Sequence, residues 1–342
     1  MLCLFALSAA ITPLSKRVTC DKLGTLMEPD HRELEERLGR IYFRQRLGIQ
    51  EDHLTRIFGG GRTLFHIENW YSIHGLLRGG LRCSGLYWRG KRNARRLNIV
   101  HHEVDLPHLP AGFNGYTVLQ LSDLHIDLNP SLVEALAERL KEIEYDACVI
   151  TGDFRAATFG PFEAALEGVA KIREHLRGPI YAVLGNHDFI EMVPGLESMG
   201  IRMLLNESVE LTRDGVPIYL AGVDDPHMYE TDNVEKAAAG LPEEGVSILL
   251  AHSPEVYKLA AHAGFDLMLC GHTHGGQICL PGGRPILRNA RCPRRLGRGA
   301  WRHHGLRGYT SPGTGCVVVD VRFNCPPELT LHHLRVAPRE QG

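Results

Sequence analysis

The stretch GYTVLQLSDLH, residues 115–125, is an apolar run that ends in an aspartate and a histidine. Its β-branched and aliphatic residues predict a strand over residues 116–122. After it, NPSLVEALAERLKEIEY (129–145) repeats leucine and isoleucine at helical spacing, and a second short apolar run follows at 146–151. Strand, helix and strand in this succession indicate parallel strands with the helix outside the sheet. This part of the chain therefore predicts an α/β fold.

The same alternation continues along the chain. PFEAALEGVAKIREHL (161–176) predicts a second helix, because its apolar residues recur at helical intervals. Further strands are predicted at residues 180–184, 217–223, 246–251, 266–270, 315–322 and 328–335. The last of these runs look like a meander, which indicates sheets with mixed strand directions.

Composition narrows the possible classes of protein. The 342 residues are 44% hydrophobic, enough for a substantial core, and we expect one large domain over 113–338 preceded by a helical, basic extension over 1–112. The formal net charge of −2 argues against a nucleic-acid-binding protein, which is usually basic. Nine cysteines, an odd number without a CxxC pair, fit free thiols in a reducing compartment, so we expect a cytoplasmic protein.

Metal-binding residue types follow five of the predicted strands, at the point where each strand ends. In sheets of this class, ligands bind beyond the carboxyl ends of the strands. Any one of these residues alone is more often a polar loop residue than a ligand, but their joint occurrence indicates one shared site. The residues are Asp123 and His125, Asp153, Asn186 and His187, His252, and His272 and His274.

The donor types predict the kind of ion. Imidazole and carboxylate groups together suit manganese, iron, zinc or cobalt rather than calcium or a thiolate-bound zinc. The donors outnumber the four that one tetrahedral ion needs, so we expect two divalent ions that share a carboxylate. Two ions about 3.5–4 Å apart suit phosphoryl transfer, because they activate water and hold both the attacking and the leaving oxygen.

The motifs DLH, GD, GNHD, AHSP and GHTH occur in this order over residues 116–276. In order and spacing they resemble the calcineurin-like metallophosphoesterases, and GHTHGGQ with the later PPE resembles one bacterial subgroup of that family. The resemblance implies a four-layer α-β-β-α sandwich of two mixed sheets with flanking helices, here with an N-terminal extension. It also implies a dinuclear enzyme, with Mn²⁺ as the first expectation, that hydrolyses a phosphodiester or pyrophosphate bond.

The resemblance assigns a role to each motif residue. Asp153 would bridge the two ions, and His187 would be the catalytic residue that stabilises charge on the phosphate or protonates the leaving oxygen. One ion would be held by Asp123, His125, Asp153 and His274, and the other by Asp153, Asn186, His252 and His272.

One departure from the family pattern concerns the residue that orients His187. Many members have a second aspartate shortly after GD, whereas this chain reads GDFRAATF there. Asp188, Asp224 and Asp225 are candidates to replace it, and the sequence does not rank them. Arg155 lies in the same run and could bind the phosphate of the substrate through its guanidinium group, although an ordinary surface arginine is an equally good interpretation.

Residues 76–99, LLRGGLRCSGLYWRGKRNARRLNI, contain seven lysines or arginines and no acidic residue, interleaved with leucine, tyrosine and tryptophan. This pattern suits an anionic membrane surface, with a nucleic-acid patch and a solvated linker as alternatives.

The apolar N-terminus, MLCLFALSAAITPL, is too short to span a bilayer and lacks a basic leader. The alternatives are a weak signal segment, an interfacial anchor and an overextended start, of which we favour the last two. The expected location is cytoplasmic, either free or peripheral on the inner membrane.

Four functions remain open at this point, and the last of them, a nucleic-acid-processing enzyme, would predict salt-dependent binding to DNA or RNA. Some members of the wider family cleave UDP-2,3-diacylglucosamine, a membrane-facing lipid A intermediate, and a basic extension with apolar side chains suits such a substrate by analogy alone. A soluble phosphodiester or monoester is the second possibility, and a metal-binding scaffold without catalysis is the third. The complete ligand set together with His187 argues against the scaffold. The sequence does not predict an oligomeric state.

Overall fold

The computed structural model describes residues 29–58, 71–287 and 289–337 of the protein. Two six-stranded sheets dominate this part of the chain. The first sheet has the strand order β1-β14-β2-β3-β4-β5, with β1 (Asn98–Leu106), β2 (Thr117–Leu121), β3 (Ala147–Thr151), β4 (Ile180–Val183), β5 (Ile201–Met203) and β14 (Glu328–Val336). Strands β2 to β5 are parallel and β14 runs antiparallel to β2, so the sheet is mixed, as predicted.

The second sheet is also mixed. Its strand order is β12-β13-β9-β8-β7-β6, with β6 (Glu207–Arg213), β7 (Val216–Gly222), β8 (Ser247–Leu250), β9 (Leu267–Cys270), β12 (Gly299–His303) and β13 (Leu306–Thr310). The central strands β7, β8, β9 and β13 are parallel, while the edge strands β6 and β12 are antiparallel to their neighbours. A two-stranded hairpin, β10 (Cys279–Leu280) with β11 (Arg284–Pro285), lies apart from both sheets.

Nine α-helices accompany the sheets in the described residues. They are α1 (Pro29–Leu38), α2 (Arg40–Phe58), α3 (Tyr71–Cys83), α4 (Leu86–Ala94), α5 (Ser131–Leu140), α6 (Glu163–Arg173), α7 (Val193–Ser198), α8 (Val234–Ala238) and α9 (Tyr257–His262). None of the helices described is both long and apolar enough to cross a membrane. The apolar segment at residues 1–14 lies outside the described residues.

The sheets stack face to face, and helices cover their outer faces. Side chains alternate along each strand, so that Val149 of β3 joins the core between the sheets while Ile150 joins the core under α5, α6 and α7. In the second sheet Ile248 points into the inter-sheet core, and Leu249 packs with α8 and α9. Both faces of the central strands are therefore buried, which explains their continuous apolar sequences. The predicted four-layer α-β-β-α sandwich is confirmed.

One predicted strand is wrong. Residues 315–322 form an irregular segment, although GCVVVDVR reads as a strand. Much of its backbone bonds to one side chain instead of to a neighbouring strand. The side-chain oxygen of Gln277 accepts from the backbone amide of Val317 at 2.8 Å, and its side-chain nitrogen donates to the carbonyls of Val317 and Val319. The valines fill a small core with Tyr87 of α4, so their apolar character reflects burial and not strand pairing.

The sequence interpretation also overlooked several strands. The largest is β1, which pairs in parallel with β14 along all nine of its residues and forms one edge of the first sheet. The sheet therefore begins at Asn98, before the boundary predicted between residues 112 and 113. Helices α1 and α2 also pack on the domain, with Leu34, Leu38 and Phe43 joining the core of the first sheet.

Candidate metal centre

The predicted ligand residues converge at one edge of the sandwich. Asp123, Asp153 and Asn186 follow β2, β3 and β4 of the first sheet, while His252 and His272 follow β8 and β9 of the second. These strands are parallel within each sheet, so their carboxyl ends open into the same cleft between the sheets. All eight predicted residues of the site are buried: Asp123, His125, Asp153, Asn186, His187, His252, His272 and His274.

The donor atoms form two groups that share one carboxylate. In each group, every ligand atom lies within 4.8 Å of the others. The first group is Asp123, His125, Asp153 and His274, and the second is Asp153, His252 and His272. The amide oxygen of Asn186 adds to the second group, since it lies 2.9 Å from Nε2 of His252. The structure thus brings together all the predicted ligands and places Asp153 between the two groups, while their binding of metal stays a prediction.

Backbone carbonyls fix which ring nitrogen faces the centre. A carbonyl can only accept, so Nδ1–H of His125 donates to the Arg155 carbonyl at 2.7 Å, and Nδ1–H of His252 donates to the Thr151 carbonyl at 2.8 Å. Each ring then turns Nε2 to the centre, the arrangement typical of metal-ligating histidines. Nε2 of His125 lies 3.1 Å from Nε2 of His274. The two nitrogens are buried and face each other, an arrangement that suits a divalent transition ion bound between them better than a direct contact of the two rings.

For three of the four ligand histidines, the electrostatics favour the neutral state. Burial lowers the pKa of His125 and holds the pKa values of His272 and His274 well below the usual value, so these rings are neutral and can donate lone pairs. Burial alone would raise the pKa of Asp153, but the neighbouring His252 and His187 hold it well below its usual value. The shared carboxylate is therefore ionised. Burial alone would lower the pKa of His252, but Asp153, 3.3 Å from its Nε2, raises it to about 10, so without metal this ring holds a proton in the place that a metal ion would take.

Strained backbone conformations are concentrated at the ligands. Five of them have positive φ angles, which non-glycine residues seldom adopt: Asp123 (51°), His125 (39°), Asp153 (57°), His272 (68°) and His274 (49°). Such conformations cost roughly 1–3 kcal/mol each and persist at functional sites where the surroundings enforce them. The strain supports a functional role for this cluster.

Gly185, in the GNHD motif, makes the close approach of two loops possible. A Cβ atom at this position would lie 2.5 Å from the Asp153 nitrogen and would collide with the Asp153 carboxylate. Only glycine allows the GNHD loop to pack directly on the GD loop.

The DLH and GD segments run side by side through backbone hydrogen bonds. The amide of Asp123 donates to the Gly152 carbonyl, and the amide of His125 donates to the Asp153 carbonyl, both at 3.0 Å. Further along, the carboxylate of Asp127 accepts from the Ala156 amide at 2.7 Å. The two ligand-bearing loops therefore behave as one unit.

The group that orients His187 is a backbone carbonyl. Nδ1–H of His187 donates to the Ala156 carbonyl at 2.7 Å, which turns Nε2 toward the centre, 3.9 Å from the Asp153 carboxylate. The three predicted aspartates do not take this role. The carboxylates of Asp224 and Asp225 bond elsewhere, the first to Tyr42, Arg46 and Thr231 and the second to the amides of residues 227–229.

Asp188, the third predicted candidate, ties the GNHD loop to the GD loop. Its carboxylate accepts hydrogen bonds from the amides of Asp153 (2.8 Å), Phe154 (2.9 Å), Arg155 (3.3 Å) and Gly185 (2.9 Å). These bonds saturate both oxygens, so the side chain has no capacity left for the imidazole. Asp188 acts on the backbone around His187 and not on its ring.

Arg155 is buried and not an ordinary surface arginine. Its guanidinium group donates to the Phe159 carbonyl at 2.6 Å and lies over the Phe189 ring, 4.2 Å from the ring centroid. Nε and Nη1 are also buried, and neither has a hydrogen-bond partner within the described ranges. A phosphate contact would satisfy such donors, but substrate binding by Arg155 stays a prediction.

His227 is a residue of the site that the sequence interpretation missed. Its ring packs on that of His272, with centroids 4.0 Å apart, and its Nδ1 lies 3.0 Å from the Glu255 carboxylate. The motif DDPH, which follows β7, was the available signal, because it is another polar strand end at the same edge.

Comparisons with known proteins agree with this geometry. The family described as calcineurin-like phosphoesterase matches residues 116–276. The uncharacterised metallophosphoesterase YkoQ of Bacillus subtilis is 28% identical over 260 residues, which cover 72% of this chain and 94% of the relative. Phosphodiesterase YaeI of Escherichia coli is 29% identical over 236 residues, covering 64% of this chain and 82% of that protein. A transmembrane protein with a metallophosphoesterase domain from Danio rerio is 32% identical over 250 residues, 68% of this chain, which spans only 56% of that protein's length.

Proposed function

From the match of residues 116–276 to the calcineurin-like phosphoesterases, hydrolases that act on phosphoric esters, we propose that this chain uses two divalent metal ions to cleave a phosphodiester or pyrophosphate bond. The observation that carries the proposal is the position of Asp153. Its carboxylate belongs to both groups of donor atoms, as a bridging ligand would. The imidazole and carboxylate donors suit manganese, iron, zinc or cobalt, and the resemblance to the family makes Mn²⁺ the first candidate among them.

When bound, the ion pair supplies an activated water and neutralises charge on the phosphate. The chain contributes the positions of its donors and a buried histidine beside them. Because Nδ1 of His187 is committed to the Ala156 carbonyl, Nε2 is the atom that can hold a proton toward the leaving oxygen. Burial lowers the pKa of His187, so a protonated ring gives up its proton readily.

For the substrate, we propose an amphiphilic molecule presented at an anionic membrane surface, with UDP-2,3-diacylglucosamine as a concrete candidate. The support is helix α4, where Trp88 is 71% and Leu86 is 42% exposed. Arg89 and Arg92 of the same helix are also exposed. Cationic side chains beside exposed tryptophan and leucine suit the headgroup region of a bilayer.

Helix α4 is connected to the candidate metal centre through the segment 316–325. The hydroxyl of Tyr87 donates to Asp320 at 2.9 Å, and Lys91 forms an ion pair with the same carboxylate at 2.8 Å. At the other end of the segment, the thiol of Cys325 donates to the carbonyl of the candidate ligand His274 at 3.3 Å. A surface that holds α4 would therefore lie near the loop that carries His274.

Two assays test this proposal. With Mn²⁺, the purified protein should hydrolyse bis-p-nitrophenyl phosphate, and it should hydrolyse UDP-2,3-diacylglucosamine better when anionic liposomes are present. Replacing Arg92, Arg95 and Arg96 with serine should weaken the free energy of binding to those liposomes, measured by sedimentation, by about 3 kcal/mol, at roughly 1 kcal/mol for each basic residue. Hydrolysis of the soluble ester should not change, because the metal centre is untouched.

The matched control removes three exposed basic residues elsewhere, Lys171, Arg177 and Arg202, and should bind liposomes like the wild type. A wild-type protein that stays in the supernatant at low salt would contradict the membrane proposal. A soluble phosphodiester would then be the preferred substrate, a function in line with the name of the Escherichia coli relative. Absence of any metal-dependent hydrolysis would contradict the enzymatic proposal itself.

A further inference from the structure

Helix α2 lies outside the residues that match the family, yet its side chains reach the GNHD loop of the candidate metal centre. Arg46 is completely buried and forms an ion pair with the equally buried Asp224, with 3.0 Å between Nε and the carboxylate. Its guanidinium group also lies over the Tyr229 ring, 3.2 Å from the centroid. Burying a charge is costly unless it is paired and hydrogen-bonded, so this arrangement fixes the arginine firmly.

The third contact of Arg46 is with the GNHD loop. Nη2 donates to the carbonyl of Asp188 at 2.9 Å, while Nη1 donates to the side chain of Gln50, one turn further along α2. Gln50 also contacts the loop, since its amide oxygen accepts from the Ile190 amide at 3.3 Å and its nitrogen donates to the Glu191 carboxylate at 2.8 Å. Helix α2 thus contacts Asp188 at the end of this loop and Ile190 and Glu191 just after it.

The backbone that Arg46 holds adjoins the reacting groups. His187 precedes Asp188, and its amide donates to the Asp153 carboxylate at 2.9 Å. The carboxylate of Asp188 in turn accepts from the amide of Asp153. A shift of the Asp188 peptide would therefore move both His187 and the shared carboxylate.

We propose that Arg46 is a positioning residue of the active site, through which helix α2 sets the GNHD loop in its reactive geometry. The inference rests on the proposed phosphohydrolase function. Lysine could keep the charge pair with Asp224, but its ammonium group lacks the planar fork that reaches Asp224, Gln50 and the Asp188 carbonyl together.

Two variants separate positioning from folding. Arg46→Lys keeps the buried charge, and the double variant Arg46→Met with Asp224→Asn removes both charges so that neither is left unpaired. The matched control is Arg37→Met. Arg37 joins helix α1 to Glu197 and Glu207, outside the GD and GNHD loops, and is also bonded bidentately.

In Mn²⁺-loaded protein, both Arg46 variants should lower kcat by roughly 10- to 100-fold, the usual effect of a small displacement of reacting groups. KM and metal content should stay near wild-type values, and Arg37→Met should keep its kcat. In metal-free protein, amide hydrogen exchange should accelerate at residues 153–155 and at Gly185 in the Arg46 variants alone, because these amides donate to the carboxylate of Asp188.

A kcat within about twofold of wild type in both Arg46 variants would overturn the proposal, as would an equal loss in Arg37→Met. A parallel loss of bound metal would also overturn it, because Arg46 would then govern assembly of the centre and not the position of His187. If wild-type protein itself lacks hydrolytic activity, the proposed function fails. The exchange pattern in metal-free protein would still show whether Arg46 holds the two loops.

Discussion

Replacing Asp188 with alanine is expected to remove most of the stability of the loops that carry the site. Its buried carboxylate accepts four backbone hydrogen bonds, three of them between 2.8 and 2.9 Å and one at 3.3 Å. Burial and the neighbouring Asp153 raise the pKa of this carboxyl to about 7, so it is ionised only above that pH. There, hydrogen bonds to the charged group contribute about 1.5–3 kcal/mol each, and such values do not add fully within one network. We therefore expect a loss of about 4–6 kcal/mol, a large part of the roughly 5–15 kcal/mol of a typical domain.

Asparagine at position 188 should have a smaller effect. Its single amide oxygen can replace only one carboxylate oxygen, so two of the four amide donors lose their acceptor, at a cost of about 2–4 kcal/mol. Asp266→Ala is the matched control, because this loop carboxylate accepts from one backbone amide, that of Ser247, at 2.9 Å. It should cost about 1–2 kcal/mol.

Urea unfolding of metal-free protein, followed by circular dichroism, measures these differences at a constant m-value. The free energies of unfolding should fall in the order wild type, Asp266→Ala, Asp188→Asn and Asp188→Ala. If Asp188→Ala were no less stable than Asp266→Ala, the four bonds would not hold the loops together, and the explanation of how the GD and GNHD motifs pack would be wrong.

Three further predictions concern chemistry and pH. His187→Ala should keep its metal and lower kcat by roughly 10²-fold or more, whereas loss of metal would make His187 a ligand. Asp127→Ala should lower kcat about tenfold or more, because the Asp127 carboxylate accepts from the backbone amide of Ala156, the residue whose carbonyl orients His187. Asp127→Asn keeps an acceptor oxygen and should lose less activity, so equal losses in the two variants would contradict this role. Burial holds the pKa of His332 well below its usual 6.5, so the unfolded chain takes up this proton first and stability should fall as the pH drops below about 6.5. Denaturant titrations at about pH 7.5 and 5.5 should show a smaller loss in His332→Gln, and an unchanged loss would contradict the assignment.

The sequence predicted the alternation of strands and helices from its apolar periodicity and the ligand cluster from the residue types at the strand ends, whereas the four-layer arrangement followed from the resemblance to the family. Strands such as β3 and β8 are continuous apolar runs, and the ligands follow them directly at the carboxyl end. It failed at 315–322, where valines buried against α4 gave the same pattern without a partner strand. It also missed β1, an edge strand in which the exposed His101 and Glu103 and the partly buried His102 interrupt the apolar pattern.

There is a physical reason why the group that orients His187 could not be predicted from the sequence. The acceptor is the carbonyl of Ala156, and a backbone group is present at every position whatever the residue. Arg46 was equally hidden, since its ion pair joins residues 178 positions apart in the chain. Charge spacing within one segment carries no information about such a pair. Both features depend on the tertiary structure.

The most direct test of the central claim is the metal content of wild-type protein and of Asp153→Ala after loading with Mn²⁺ and removal of free ions. Asp146→Ala serves as the control, because this exposed carboxylate bonds the Thr117 amide at the opposite end of the strands. We predict two ions per chain and metal-dependent hydrolysis in the wild type and the control, and the loss of both ions and of activity in Asp153→Ala. Two tightly bound ions with near-normal turnover in Asp153→Ala would contradict the bridging role and, with it, the two-metal mechanism.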